Sequence, residues 1–211
     1  MNYHYLTHSI GGFIQQVTVC YVQRGYWFYV IGNIPPKKDP LKTDQFLIDK
    51  YGIDLSKFQR YRRKQLGQAS LQYIRYQDTF LLLATKGAHS FFAKEHGIRD
   101  ARRYPIQVFG YSISYRKGHA LVGLDNETYC NLEAEFLSLA VHRKAETLIW
   151  KFRNLPFEPY RPVYQQVLSI WKAVNEKRKT AGFDLLPSSC LRRLRRIYLP
   201  FEPDRKAVGW S

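Results

Sequence analysis

Apolar residues fall in short β-rich runs up to about residue 124 and recur at helical spacing beyond it, so the pattern changes period within the chain. The first run, VTVCYVQRGYWFYVIGNI over 17–34, is rich in Val, Tyr, Trp, Phe and Ile. Arg24-Gly25 divides it, which predicts a hairpin. Pro35-Pro36 ends that run. Asp39 followed by Pro40 is an N-cap and first-turn pair, predicting a helix with Leu41, Ile48 and Tyr51 on one side and Gly52 just past its end. LQYIRYQ and TFLLLAT, joined at Gln77-Asp78, predict a second hairpin with Leu81, Leu82 and Leu83 buried. AHSFFAKEHG, 88–97, reads as a short helix ended by Gly97, and PIQVFGYSISYRKGHALVGL as a third hairpin turning at Lys117-Gly118.

Beyond Asp125, a capping residue, Tyr129, Leu132, Phe136, Leu139 and Ala140 form a helical stripe. Ala145, Leu148, Ile149, Phe152 and Leu155 form another, which stops at Pro156. A third helix opens at Arg161-Pro162, buries Val163, Val167, Ile170, Trp171 and Val174, and ends on Lys177-Arg178-Lys179 with Gly182 as the terminal glycine. SSCLRRLRRIY, 188–198, is expected to be a short helix capped by Ser188 or Ser189 and anchored by Leu191, Leu194 and Tyr198. With the helix before it, this segment resembles the helix-turn-helix of DNA-binding proteins, with a longer turn. LPFEP occurs at 155–159 and again at 199–203, each time after a helical stripe, and reads as a packing terminator. The fold class is α+β: a hairpin-rich N-terminal part, 1–124, of ββα-type units, and a helical C-terminal part, 125–211, packed on it.

Charge adds a partner to this picture. Lys plus Arg number 33 against 17 Asp plus Glu, a net charge of +16, and the excess is +9 up to residue 105 and +7 after it. The charge therefore belongs to the folded surface, and its self-repulsion favours a polyanionic partner. KFQRYRRKQLGQASLQYIRYQ, 57–77, holds six Lys or Arg, no acid, and tyrosines at 61, 73 and 76. As a helix it places Lys57, Arg60, Tyr61 and Lys64 on one face and leaves Phe58, Arg62 and Leu66 on another, a poor core face; Arg63 adds a fifth cation. As a strand it presents Phe58, Arg60, Arg62 and Lys64 along one side, spaced about 6.6 Å apart. Tyr73 and Tyr76 fall on opposite faces of LQYIRYQ, so at most one joins Arg75 as a base-stacking platform. Arg192, Arg193, Arg195 and Arg196 form a second basic cluster, suited to phosphate or, in the alternative, to acids such as Glu202 or Asp204. The expected partner is nucleic acid, DNA or RNA, and the expected role an accessory in replication, recombination or RNA processing of a mobile element or its host.

Signals for catalysis are sparse. The six histidines include no pair one residue apart and no H-E-x-x-H. His119, Asn131 and His142 resemble in order the HNH nucleases, and Asp204-Arg205-Lys206 has a D-x-K spacing with no strand behind it. The predicted order helix, hairpin, helix, hairpin, helix resembles the LAGLIDADG homing endonucleases and maturases; LTHSIGGFI, where that family places its acidic helix end, has no carboxylate, so the likeness implies binding without cleavage. The alternatives to plain binding are a metal-dependent nuclease of HNH-like or LAGLIDADG-like fold and a basic structural partner of an acidic protein, the latter also a candidate within a nucleoprotein complex. Cys20, Cys130 and Cys190 are far apart without C-x-x-C spacing, which predicts packed, reduced thiols and no zinc site. The first 22 residues read as neither signal peptide nor membrane span, so the expected location is cytoplasmic or nucleoid-associated, with no cofactor.

Overall fold

The computed structural model describes residues 3–202. The fold is α+β, with two antiparallel sheets and the long helices in the C-terminal part. Helix α1 (Ile10–Gln15) starts from Ser9, whose Oγ accepts the Gly12 N–H at 3.1 Å. It runs on through a π-helical stretch, Gln16–Tyr21, and a 3₁₀ turn, Val22–Arg24, and stops at Gly25 with φ +96°. The first half of the expected hairpin at 17–34 is thus helical. Its β-branched residues follow helical spacing once the run is read from Ser9, and Phe13, Ile14, Val17 and Tyr21 are buried together; burial overrides local β preference. Only the second half is a strand, β1 (Phe28–Asn33).

Helix α2 (Pro40–Tyr51) has the expected ends: Asp39 Oδ1 accepts the Leu41 and Lys42 N–H groups, and Gly52 has φ +54°. Its buried side is Asp44, Leu47, Ile48 and Tyr51, while Leu41 faces solvent. Helix α3 (Lys57–Gln65) precedes a hairpin of β2 (Leu71–Tyr76) and β3 (Thr79–Ala84), which turns at Gln77 with φ +50° and buries Leu81, Leu82 and Leu83 as predicted. The expected helix at 88–97 contracts to α4 (Phe91–Lys94), followed by the short β4 (Arg99–Asp100). The sheet order is β2-β3-β1-β4, with Tyr29 opposite Leu83 and Ile74 opposite Leu81. Helix, strand, two helices, hairpin is not the order on which the LAGLIDADG resemblance rested.

β2 is buried at five consecutive positions, Leu71 to Arg75, which requires cover on both faces. α2 contributes Leu47, Ile48 and Tyr51 to the core around Leu71 and Tyr73, and α1 packs on the strand too. Although β2 is the last strand of the sheet, its free edge is taken by residues 3–7. Arg75 N donates to Tyr5 O and Thr7 N to Arg75 O, both at 2.8 Å, and Tyr73 N donates to Tyr3 Oη at 2.8 Å. A covered edge does not template pairing with another chain. Close to the other end of the described chain, Tyr198 lies over α1 at Gly11, where an added Cβ would meet its ring at 2.3 Å. Only glycine permits that approach.

The second sheet is β5 (Ile106–Val108), β6 (Tyr111–Arg116) and β7 (His119–Leu124), in that order, and Lys117 and Gly118 both have positive φ at the predicted turn. Asp125 Oδ1 accepts the Thr128 N–H at 2.8 Å and starts α5 (Asn126–Leu139); α6 (Ala145–Arg153) and α7 (Arg161–Thr180) follow. α7 buries Val163, Val167, Ile170 and Val174 as read from the sequence, leaving Trp171 half-buried, and Gly182 has φ +74°. The chain forms two compact units. One comprises residues up to Ile106, Ser114–Ala120 and residues from Ile197; the other comprises Gln107–Ile113 and Leu121–Arg196. No helix among the described residues is long and apolar enough to cross a membrane.

The helix expected at 188–198 is absent. A 3₁₀ turn, Ser188–Cys190, is followed by chain that is neither helix nor strand, with Leu194 85% and Ile197 88% exposed. Its anchor is the buried Glu158, which pairs with Arg192 at 2.7 Å and accepts the Arg196 backbone N–H at 2.9 Å. Without a second helix the helix-turn-helix resemblance falls. Glu158 is the acid of the first LPFEP segment, so that segment orders the basic stretch instead of merely ending a helix; the last residue of the second copy, Pro203, lies outside the described residues.

Candidate nucleic-acid interface

α3 is specified by its first turn. Ser56 Oγ accepts the Gln59 N–H at 3.2 Å and Gln59 Oε1 accepts the Ser56 N–H at 2.8 Å, a reciprocal capping box. No residue of α3 is buried, so its helicity rests on this cap, on the cations of its last turn, and on the backbone ties of Gln68 N to Arg63 O and Ala69 N to Ala88 O. The strand alternative for 57–65 is thereby corrected. Two of its cations turn toward the body: Arg60 donates to the Leu55 carbonyl, and the guanidinium of Arg63 lies against Gly52, with Nη1 buried and without an acceptor. Lys57, Arg62 and Lys64 are exposed, as are Phe58 at 85% and Tyr61 at 64%. Phe58, Tyr61, Arg62 and Gln65 follow the i, i+3, i+4, i+7 spacing of one helical face. That face combines an arginine with two aromatic rings, and no acid of the described residues pairs with any α3 cation.

His89 sits beside this base. Burial lowers its pKa, and the Arg63 charge lowers it further. Its Nδ1 accepts the Phe91 N–H at 3.0 Å, which fixes the neutral tautomer with the proton on Nε2.

Of the other residues expected on the 57–77 surface, Tyr73 and Arg75 are withdrawn into the core. Arg75 pairs with Asp44 through Nε and Nη2 at 2.8 and 2.7 Å, and Tyr73 Oη donates to the same carboxylate. Burial opposes the charge of Arg75, but Asp44 more than offsets it and raises its pKa; burial and Asp44 together push the Tyr73 phenol far above the usual range. Neither residue presents a base platform, and the signal that places them inside is Asp44, a lone acid on the buried side of α2. Tyr76, at the hairpin end, is half-buried.

In the other unit, Arg192 is spent on Glu158 and the Phe157 carbonyl, an acid other than the two proposed for it from sequence. Arg193, Arg195 and Arg196 remain exposed, with the Arg195 guanidinium 4.6 Å from the centre of the Tyr160 ring.

His119 opens β7, Asn131 lies on α5 and His142 follows its end; all three are exposed, and no group of three His, Cys, Asp or Glu among the described residues is placed to hold a metal. The D-x-K residues Asp204 and Lys206 lie outside the described residues. The cysteines are free, but only Cys190 is buried; Cys130 is exposed, against the expectation of three packed thiols. No protein-family model matches the chain, and no curated protein matches it.

Proposed function

We propose that the protein binds nucleic acid and that the outer face of α3 is a principal contact, with Lys57, Arg62 and Lys64 on phosphates and Phe58 and Tyr61 against bases. The observation that carries this reading is a capped helix with no buried residue, whose exposed faces bear cations and aromatics together and no acid. A helix held only for its surroundings would bury an apolar stripe; here the apolar groups are left in water beside the charges. Exposed rings favour unpaired strands, because a base within a duplex offers no free face. Arg193, Arg195 and Arg196 supply a second cationic surface in the other unit.

Anisotropy titrations of single-stranded and duplex oligonucleotides over a range of salt test this reading. Binding should weaken with a log–log slope near −0.7 per phosphate neutralised on a single strand. Replacing Lys57, Arg62 and Lys64 together with Gln should reduce that count by up to about three. Absence of binding at low salt, or a slope and affinity unchanged in the triple variant, overturns it. Stronger binding to an acidic polypeptide than to either oligonucleotide would support the acidic-protein reading instead.

A further inference from the structure

The last turn of α7 carries Lys177, Arg178 and Lys179, and the middle cation is turned inward. Arg178 is only 2% exposed, yet none of the ion pairs among the described residues includes it. Its Nε donates to the Asp184 carbonyl at 2.6 Å, and Nη1 donates to the Ala140 and Arg143 carbonyls at 2.6 and 3.1 Å. The Ala140 and Arg143 carbonyls belong to the end of α5 and the turn after it, where the helix dipole offsets part of the buried charge, and the Asp184 carbonyl lies in the chain that follows α7. Nη2 makes no hydrogen bond among the described residues but is not one of their buried unpartnered atoms, so it keeps access to solvent, and the guanidinium stands 5.4 Å from the centre of the Phe183 ring.

Arg178 lines a cavity of about 370 Å³ with His142, Arg143, Lys144, Ala145 and Glu146. The start of α6 forms part of the same wall. Lys144 holds the N-cap position and offers no side-chain acceptor, and the N–H groups of Ala145, Glu146 and Thr147 find none among the described residues. An uncapped helix start and a guanidinium with one unpaired, solvent-accessible nitrogen therefore share one cavity, flanked by Arg143, Lys144 and His142. Two carboxylates also line it, Glu146 and Asp184, and both are exposed. A buried cation without a carboxylate is costly unless an anion completes it, and helix N-termini bind phosphate through these same free N–H groups.

We propose that this cavity binds a phosphate group, either inorganic phosphate or the monoester of a nucleotide or nucleic-acid end. Arg178 Nη2 and the first N–H groups of α6 act as fixed donors, and Lys144 as the mobile cation. The proposal lies wholly in the second unit and does not depend on α3.

The test is thermal unfolding and calorimetry of the full chain with sodium phosphate, against sodium chloride of equal ionic strength. A nucleoside 5′-monophosphate and a matched pair of oligonucleotides with 5′-phosphate or 5′-hydroxyl ends form the other arms. Phosphate should raise Tm saturably where chloride does not. Lys144→Asp supplies a carboxylate at the N-cap, so it should raise the starting Tm and remove the phosphate-dependent rise. Arg178→Lys should weaken phosphate binding at least tenfold; if it fails to fold, Lys144→Asp still decides. Preference for the 5′-phosphorylated oligonucleotide assigns the group to a nucleic-acid end, and saturation by inorganic phosphate with no such preference assigns it to the free ion. A Tm that phosphate raises no more than chloride, or a rise that survives in Lys144→Asp, overturns the proposal.

Discussion

Asp44 on α2 and Arg75 on β2 form a buried two-point ion pair, with side chains 0% and 7% exposed, and Tyr73 donates a third hydrogen bond to the same carboxylate. The pair joins a helix to a strand 31 residues later, and Arg75 Nη1 also donates to the Gln77 carbonyl at the hairpin turn. Arg75→Gln or Asp44→Asn leaves the other charge buried alone, and each should cost about 3–5 kcal/mol in urea unfolding. A double variant with two apolar residues should recover much of the loss. If Arg75→Gln folds with unchanged stability and loses only oligonucleotide affinity, the residue belongs to the surface after all.

The exposed rings of α3 separate charge from stacking. Phe58→Ala and Tyr61→Ala leave the net charge unchanged, so their salt slopes should equal that of the unmodified protein. Each should weaken single-strand binding by about 1–3 kcal/mol where a base stacks, with a smaller effect on duplex. Folding should change by no more than about 0.5 kcal/mol, since both side chains are in solvent. Equal losses for both nucleic acids would remove the stacking role.

His89 links α3 to pH. Its pKa in the folded protein lies below the ordinary 6.5, through burial first and the Arg63 charge second. On acidification the unfolded chain therefore takes up this proton before the folded one does. Stability that is complete above the unfolded value is lost as pH falls below about 6.5 toward the folded pKa. His89→Asn keeps an acceptor near the Phe91 N–H and does not titrate, so its stability should be flatter over that window. Arg63→Gln should raise the His89 pKa measured by NMR, and so should oligonucleotide binding if phosphates approach Arg63. An unmoved resonance in both experiments would show that the two groups are uncoupled.

The three thiols should differ in reactivity in the order of their exposure. Cys130, on the open side of α5, should react with an aromatic disulfide reagent in the native protein, while burial holds Cys190 back and raises its thiol pKa. Cys190 should be modified only on unfolding. Early modification of Cys190 would mean that its segment detaches from the helices.

What sequence reveals here divides by the range of the interaction. The hairpins at 71–84 and 111–124 are legible because the turn residues lie between the strands they join. The caps Asp39, Asp125 and Gly52 are legible for the same reason: donor and acceptor sit within one turn. The helical run that continues α1 through residues 16–24 is not, because Val17, Tyr21 and Val22 favour strand one residue at a time and their helical spacing emerges only when counting starts at Ser9. The basic residues are harder still. Whether Arg75, Arg178 or Arg192 faces water is decided by Asp44, Ala140 and Glu158, each more than thirty positions away. α3, by contrast, stays readable as a surface because nothing distant claims it.

The strap of residues 3–7 along β2 has a kinetic consequence. The amide protons of Tyr73 and Arg75 are held by Tyr3 and Tyr5, so their exchange with deuterium reports release of the strap, while amides bonded between β2 and β3 report opening of the sheet itself. If the two sets exchange at one rate, the N-terminal residues are part of the same cooperative unit as the sheet. If Tyr73 and Arg75 exchange first, the protein visits a state in which one edge of its sheet is bare while the rest is intact, and shortening the chain at its start would make that state permanent.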